Sequence, residues 1–248
     1  MEGSLVAYKV FTNGSVLNAS EINDNLMRQS VMVFSNAAAR TAAITSPVEG
    51  MLTWLEDTNR YESYNGSAWG SPFGMTQLIN TTFTTVSSVV IDNVFTTQFD
   101  NYKIILKGDA ASAGTTVSVS FQFRKAGATI TGANYRQGSW FQDPSGPSSG
   151  AYQANSGGPS VVCLVMGAGG PTSSYSNIEV FNPAVSGSQT GWTNIGFHQY
   201  AGASAAAATK AAYFANGAYT ANDNFDGFVL TPGSGTITGS IKIYGYRN

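Results

Sequence analysis

From about Leu78 to its end the chain repeats one pattern, a short strand-like run closed by a cluster of Gly, Ser, Pro or Asn. Thr116-Val117-Ser118-Val119-Ser120-Phe121-Gln122-Phe123-Arg124 is the clearest run: Val117, Val119, Phe121 and Phe123 fall on one face and the polar residues on the other. Side chains alternate across a strand, so this spacing predicts one buried and one wet face. Further strands are expected near Thr82–Ile91, Asn101–Lys107, Tyr135–Phe141, Val161–Met166, Tyr175–Phe181, Gly191–Tyr200, Ala211–Tyr219, Phe225–Leu230 and Thr236–Tyr246. About ten short strands without an interrupting helix predict a β-sandwich of jelly-roll type over 78–248. Val161–Met166 is apolar on both faces, which suits either a central strand covered on both sides or a strand whose outer face meets another subunit. The stretches from Asp143 to Gly150, Asn155 to Pro159 and Gly202 to Ala208 read as small-residue loops.

The first 75 residues read differently. Ser20 is placed to cap a short helix over about 20–29, with Glu21 and Asp24 at its positive end. Ile22, Leu26 and Gln29 lie on one face with Met27 beside them, an apolar stripe of about two turns that is too short to be stable alone. The helix is either a lid on the following strands or a contact between copies of the chain. A hairpin is expected over about 51–69: Met51–Leu55, a turn at Asp57–Arg60, Tyr61–Tyr64, then the tight-turn pair Asn65-Gly66 before Trp69. Two short strands are marginal in water, and with Trp54, Tyr61, Tyr64 and Trp69 on them they need a neighbour. Pro72 and Gly74 mark a linker between a 1–75 module and the 78–248 domain.

Composition narrows the function. Only 10% of residues are charged and the net charge is -2, whereas nucleic-acid affinity draws on clustered Lys and Arg. Fourteen Phe, 12 Tyr and 4 Trp argue for a folded chain. The single cysteine, Cys163, has no disulfide partner and reads as a buried inert thiol, and the single histidine, His198, cannot build a His-based metal site. A serine nucleophile needs a histidine base and an orienting acid. No Gly-x-Ser-x-Gly elbow is present, and His198 reads as a satisfied strand histidine. Asp143, Glu179, Asp223 and Asp226 supply carboxylates for glycoside hydrolysis, with no spacing that favours a pair. Asn222–Gly227 is Asx-rich but lacks the alternation and closing glutamate of an EF-hand. Neither a basic n-region nor a 20-residue apolar span is seen, so a protein without signal peptide or membrane insertion is expected. No cofactor, catalytic residue or metal ligand is expected. Trp140, Tyr152, Trp192, Tyr200 and Tyr219, near strand ends or in loops, are the candidates for stacking on a saccharide.

Phe11-x-x-Gly14-x-x-Leu17-x-Ala19-Ser20-x-Ile22-Asn23, Leu26-Met27-Arg28-Gln29, Ser46-Pro47-Val48-Glu49-Gly50-Met51 and Asp57-Thr58-Asn59-Arg60-Tyr61-x-x-Tyr64-Asn65-Gly66-Ser67-Ala68-Trp69 resemble the virion-attachment and hairpin module of tailed-phage tail-fibre and minor-tail proteins. The resemblance is to receptor-binding adhesins of this kind, especially those of phages infecting actinobacteria. The closing Ile241-Lys242-Ile243-Tyr244-Gly245-Tyr246-Arg247 resembles the last strand of their C-terminal sandwich. The resemblance implies a mostly β homotrimer. Its N-terminal module (1–75) would dock on other virion proteins, with Ile22, Leu26, Met27 and Trp54 at the trimer interface. Its C-terminal domain would bind the host surface, a glycan being the expected contact. It further implies synthesis in the host cytoplasm and residence in the virion. A capsid head fibre or decoration protein is the alternative, and an envelope-polysaccharide depolymerase a more distant one.

Overall fold

The computed structural model describes residues 14, 16, 18–22, 31–72, 74–113, 116–142, 150–167, 171–201 and 208–246. The chain divides into two compact units, Met1–Gly74 and Met75–Asn248, and both are dominated by strands.

In the smaller unit, α1 (Ala19–Ile22) starts one residue before the expected position. Its Ile22 N–H reaches the Asn18 carbonyl at 3.1 Å. Ser20 lies inside the helix and donates to Asn18 Oδ1 at 2.6 Å, so the residue preceding the helix is Asn18 and not Ser20. Leu26 and Met27 lie outside the described residues. A parallel pair follows that the sequence reading lacked: β1 (Met32–Phe34) runs alongside β2 (Leu52–Leu55), and α2 (Ala37–Ala43) lies between them in the chain. Asn36 caps α2 by accepting the Ala39 N–H at 2.9 Å. β2 pairs antiparallel with β3 (Arg60–Tyr64), which pairs with β4 (Trp69–Gly70). The last turn forms because Asn65 Oδ1 accepts the N–H groups of Ser67 and Ala68 while Gly66 takes φ +87°, a left-handed backbone that glycine tolerates. Register places Trp54 opposite Tyr61 and Tyr64 opposite Trp69, with ring centroids 4.9 and 5.4 Å apart.

The larger unit is a sandwich-like pair of sheets. Its strands are β5 (Thr76–Val86), β6 (Val89–Ile91), β7 (Asn101–Ala111), β8 (Val117–Lys125), β9 (Ala128–Thr129), β10 (Tyr135–Gln142), β11 (Gly150–Gly158), β12 (Val161–Met166), β13 (Pro171–Phe181), β14 (Thr190–Ala201), β15 (Ala208–Tyr219), β16 (Gly227–Pro232) and β17 (Ile237–Tyr246). One sheet has the order β11-β10-β15-β14-β13-β7-β17-β5, the other β12-β8-β16-β6, with β9 beside β8. Four antiparallel pairs are nested in sequence: β8 with β12, β7 with β13, β6 with β16, and β5 with β17. The hairpin β10–β11 and the strands β14 and β15 are inserted into this nest. They pair with one another through β10 and β15 and widen the first sheet by four strands. The expected single strand Thr82–Ile91 is two strands in different sheets, and the expected loop at 155–158 belongs to β11.

The core lies between the sheets. β8 buries Val117, Val119, Phe121 and Phe123, as β17 buries Ile237, Ile241 and Ile243. Two buried tyrosines stitch loops to this core through their hydroxyls. Tyr135 donates to the Ile130 carbonyl and accepts the Phe123 N–H, and Tyr102 does the same with the carbonyl and N–H of Thr96. No helix among the described residues is long and apolar enough to cross a membrane.

Candidate functional site

Strand β12 is covered on both faces, as one expectation for an all-apolar run had it, but it is not central. It is an edge strand, paired only with β8 among the described residues, and a bulge at Cys163 interrupts that pairing. Its other edge would leave buried N–H and C=O groups without partners, which is costly. Side chains of the wide sheet supply those partners. Gln137 accepts the Val162 N–H at 3.1 Å and donates to the Val162 carbonyl at 3.0 Å, so its amide replaces a neighbouring strand. Tyr213 Oη donates to that carbonyl at 3.1 Å, and the Cys163 carbonyl accepts from Ser176 Oγ at 2.6 Å and Asn194 Nδ2 at 2.7 Å.

His198 belongs to this network. It is fully buried, its ring stacks on Tyr213 at 4.2 Å, and its Nε2 lies 2.9 Å from Ser176 Oγ. Because the Ser176 hydroxyl donates to the Cys163 carbonyl, the histidine N–H is the donor to Ser176. His198 Nδ1 is buried without a partner among the described residues, so within them the histidine is only half satisfied. The pair is a serine beside a histidine, yet the serine proton is committed to a carbonyl and the ring is closed off from solvent. That geometry serves packing and edge closure. Burial pushes the Cys163 thiol up to about 12, so the cysteine is a neutral thiol as well as a buried one.

Burial also lowers the His198 pKa from 6.5 to about 3. Between those values the unfolded chain binds a proton that the folded chain refuses. Stability therefore falls as pH drops through that window and is untouched by this group above it, at up to about 1.4 kcal/mol per pH unit. Urea titrations at pH 7 and pH 4.5 should show the parent protein losing about 2 kcal/mol more than a His198→Gln variant. Equal losses in the two proteins would mean that His198 is protonated in the folded state.

Two of the acids offered by the sequence are paired with lysines. Glu179 Oε1 lies 3.4 Å from Lys103 Nζ and its Oε2 accepts from Tyr246; Asp223 accepts from Lys125 at 2.5 Å, which holds its carboxyl below the usual range. Asp226 accepts the Ala126 N–H at 2.7 Å, and Asp143 lies outside the described residues. Among the described residues no group of three or more His, Cys, Asp or Glu side chains could hold a metal ion.

The candidate saccharide contacts separate sharply. Trp140 stands on the outward face of the wide sheet at 40% exposure. Trp192 and Tyr219 do not: at 5% and 4% exposure they belong to the core, which corrects their assignment as contacts. The reason for Trp192 is visible across the ladder. It faces Gly217, whose added Cβ would fall 2.5 Å from the indole and 2.1 Å from the Arg136 carbonyl, so the missing side chain is the space the ring occupies. The side chains of Tyr152 and Tyr200 lie outside the described residues. Of the interface candidates, Ile22 is exposed and Trp54 half-buried.

β14 is inverted relative to an ordinary sandwich strand. Asn194 and His198 point inward to close β12, and Ile195 and Phe197 point outward at 55% and 61% exposure. Phe214 of β15 and Tyr175 of β13 join them on the same surface. Sequence reasoning missed Ile195, Phe197 and Phe214. The available signal was the shared parity of Trp192, Asn194 and His198, which sets the two apolar residues between them on the opposite face. A basin of about 420 Å³ opens beside this patch, lined by Trp140, Phe214, Ile195, Thr193, Asn216 and Gly138 among others. Comparison with family models, with curated proteins and with solved structures gives no match.

Proposed function

We propose that the chain is a structural component of a tailed-phage virion, a homotrimeric tail fibre or minor tail protein whose larger unit contacts the host surface. The observation that carries this reading is the inverted strand β14, which gives an otherwise ordinary sandwich a contiguous exposed apolar patch around an uncharged basin. Patches of this kind mark interaction surfaces. The hydrogen-bonding side chains on the inner face of the same strand close a sheet edge, so the strand serves scaffold and surface at once. The four nested antiparallel pairs support a jelly roll with inserted hairpins, the architecture expected for the distal domain of such a fibre. Residues 8–74 supply the resemblance to the attachment module, and in that unit Ile22, Val31 and Val33 are exposed apolar side chains that neighbouring copies or other virion proteins could cover. Three identical tips on one particle raise the effective concentration at a cell surface, so each contact can be weak.

Sedimentation equilibrium of the full chain, with gold-antibody labelling of virions that carry it, tests the proposal. Three copies per particle in solution and label on the tail are expected. Label on the head would select the capsid-fibre alternative, and a well-folded single copy at micromolar concentration would overturn the trimer.

A further inference from the structure

Strands β10, β14 and β15 build a step on their outward face. Ile195, Phe214 and Trp140 lie in register across the three strands, and the next outward row in register is Thr193, Asn216 and Gly138. The first row is large and apolar, and the second is small and polar. With strands about 4.8 Å apart the step runs for about 10 Å across the sheet. Its wall is made by Ile195 with the rings of Trp140 and Phe214, the two rings 6.0 Å apart and tilted by 33°. Its floor falls away at Gly138, where no side chain fills the row, and the result is the basin described above. No Asp, Glu, Lys or Arg lines it.

We infer that this trough binds an uncharged oligosaccharide laid across the strands; the inference rests on the attachment reading and names the ligand class for it. A sugar ring has an apolar C–H face that packs on aromatic rings and hydroxyls that need donors and acceptors in the same plane. The Asn216 amide offers both, and the Thr193 hydroxyl does so again. An anionic glycan would lose hydration on a lining that carries no cation, since Arg136, exposed two residues before Gly138 on the same face, is not part of that lining. An extended peptide would gain little, because the main-chain groups of these strands are consumed by the ladder. A second copy of the chain laying an apolar surface on the patch would bury the amide and hydroxyl of the floor without partners, which is disfavoured.

The test uses the full chain and two variants, Trp140→Ala and Gly138→Val. The first removes one ring of the wall and the second fills the floor; Gly138 lies in strand β10 and is not among the glycines of positive φ, and β-branched residues favour strands. Calorimetric titration with neutral gluco-, manno-, galacto- and arabino-oligosaccharides, and with hyaluronan and polygalacturonate fragments as anionic probes, gives the readout. Binding of at least one neutral series, weakened about tenfold or more in both variants with melting and sedimentation unchanged, is the expected result. Binding confined to the anionic probes, no binding of any neutral series, or equal binding by parent and variants overturns the inference. A changed number of copies in either variant overturns it too, since the trough would then be an interface between subunits. A trimer located on the tail that binds none of the neutral probes ends the inference about the trough but leaves the proposed function standing; a monomeric chain ends the latter.

Discussion

Phe123→Ala is expected to lower the stability of the larger unit by about 3–5 kcal/mol, the range for a buried phenylalanine whose surroundings cannot close the cavity. Phe123 has no exposed surface and sits on β8 between β12 and β16. Its ring stacks on Phe225 at 4.3 Å and 8°, and it meets Tyr135, Trp192 and Tyr219, which come from β10, β14 and β15 of the opposite sheet. One side chain thus joins the sheets at the point where the inserted strands cross the core. Relaxation into the vacancy is restrained, because the Tyr135 hydroxyl is held by the Ile130 carbonyl and the Phe123 N–H, and the Trp192 ring is wedged over Gly217. For a unit of this size the loss corresponds to a fall in Tm of roughly 10 °C. Phe197→Ala on the outward face is the control and should cost less than about 0.5 kcal/mol. Calorimetry of both variants decides it: a Phe123→Ala loss no larger than that of Phe197→Ala would remove Phe123 from the centre of the core.

What the sequence disclosed follows from how local each determinant is. The alternation of Val117, Val119, Phe121 and Phe123 is written in adjacent residues, and β8 follows it. The Asn65-Gly66 turn is local in the same way, since the Asn65 side chain bonds the two N–H groups beside it. Asn155–Gly158 reads as loop because it is small and polar, and it becomes strand by pairing with Tyr135–Gln137 of β10. Trp192 and Tyr219 looked like surface aromatics because a strand does not state which of its faces is inward. That is decided by Gly217 across the ladder and by the edge of β12, which draws Asn194, Gln137 and His198 inward. The trough depends on the same long-range fact. Three residues from three strands form its wall, and nothing near Trp140 in the chain names Ile195 or Phe214. β1 and α2 escaped because Ala37–Ala43 carries no apolar stripe; its one buried residue is Arg40.

Glu62→Ala is expected to unfold the smaller unit while leaving the melting of the larger one in place. Glu62 is 4% exposed and its carboxylate takes Arg40 on one oxygen and Arg60 on the other, the latter at 2.7 Å. The Arg40 guanidinium is itself buried and lies 4.3 Å from the centre of the Trp69 ring, so α2 is fastened to β3 and β4 by one ionic and one cation–π contact. Removing the carboxylate strands a buried cation, which costs about 3–5 kcal/mol. A core of some 70 residues rarely supplies more than that. Replacing both partners by apolar residues of similar size, Arg40→Met with Glu62→Met, should recover most of the loss, because no uncompensated charge is then buried. Hydrogen exchange at the amides of β2 and β3, followed beside those of β8, reads the two units separately. Rapid exchange in β2 and β3 alone is expected for Glu62→Ala, with protection restored in the double variant. Protection unchanged in Glu62→Ala would mean that Arg40 finds another partner and that the apolar contacts of Leu55 and the paired aromatics suffice to hold the unit.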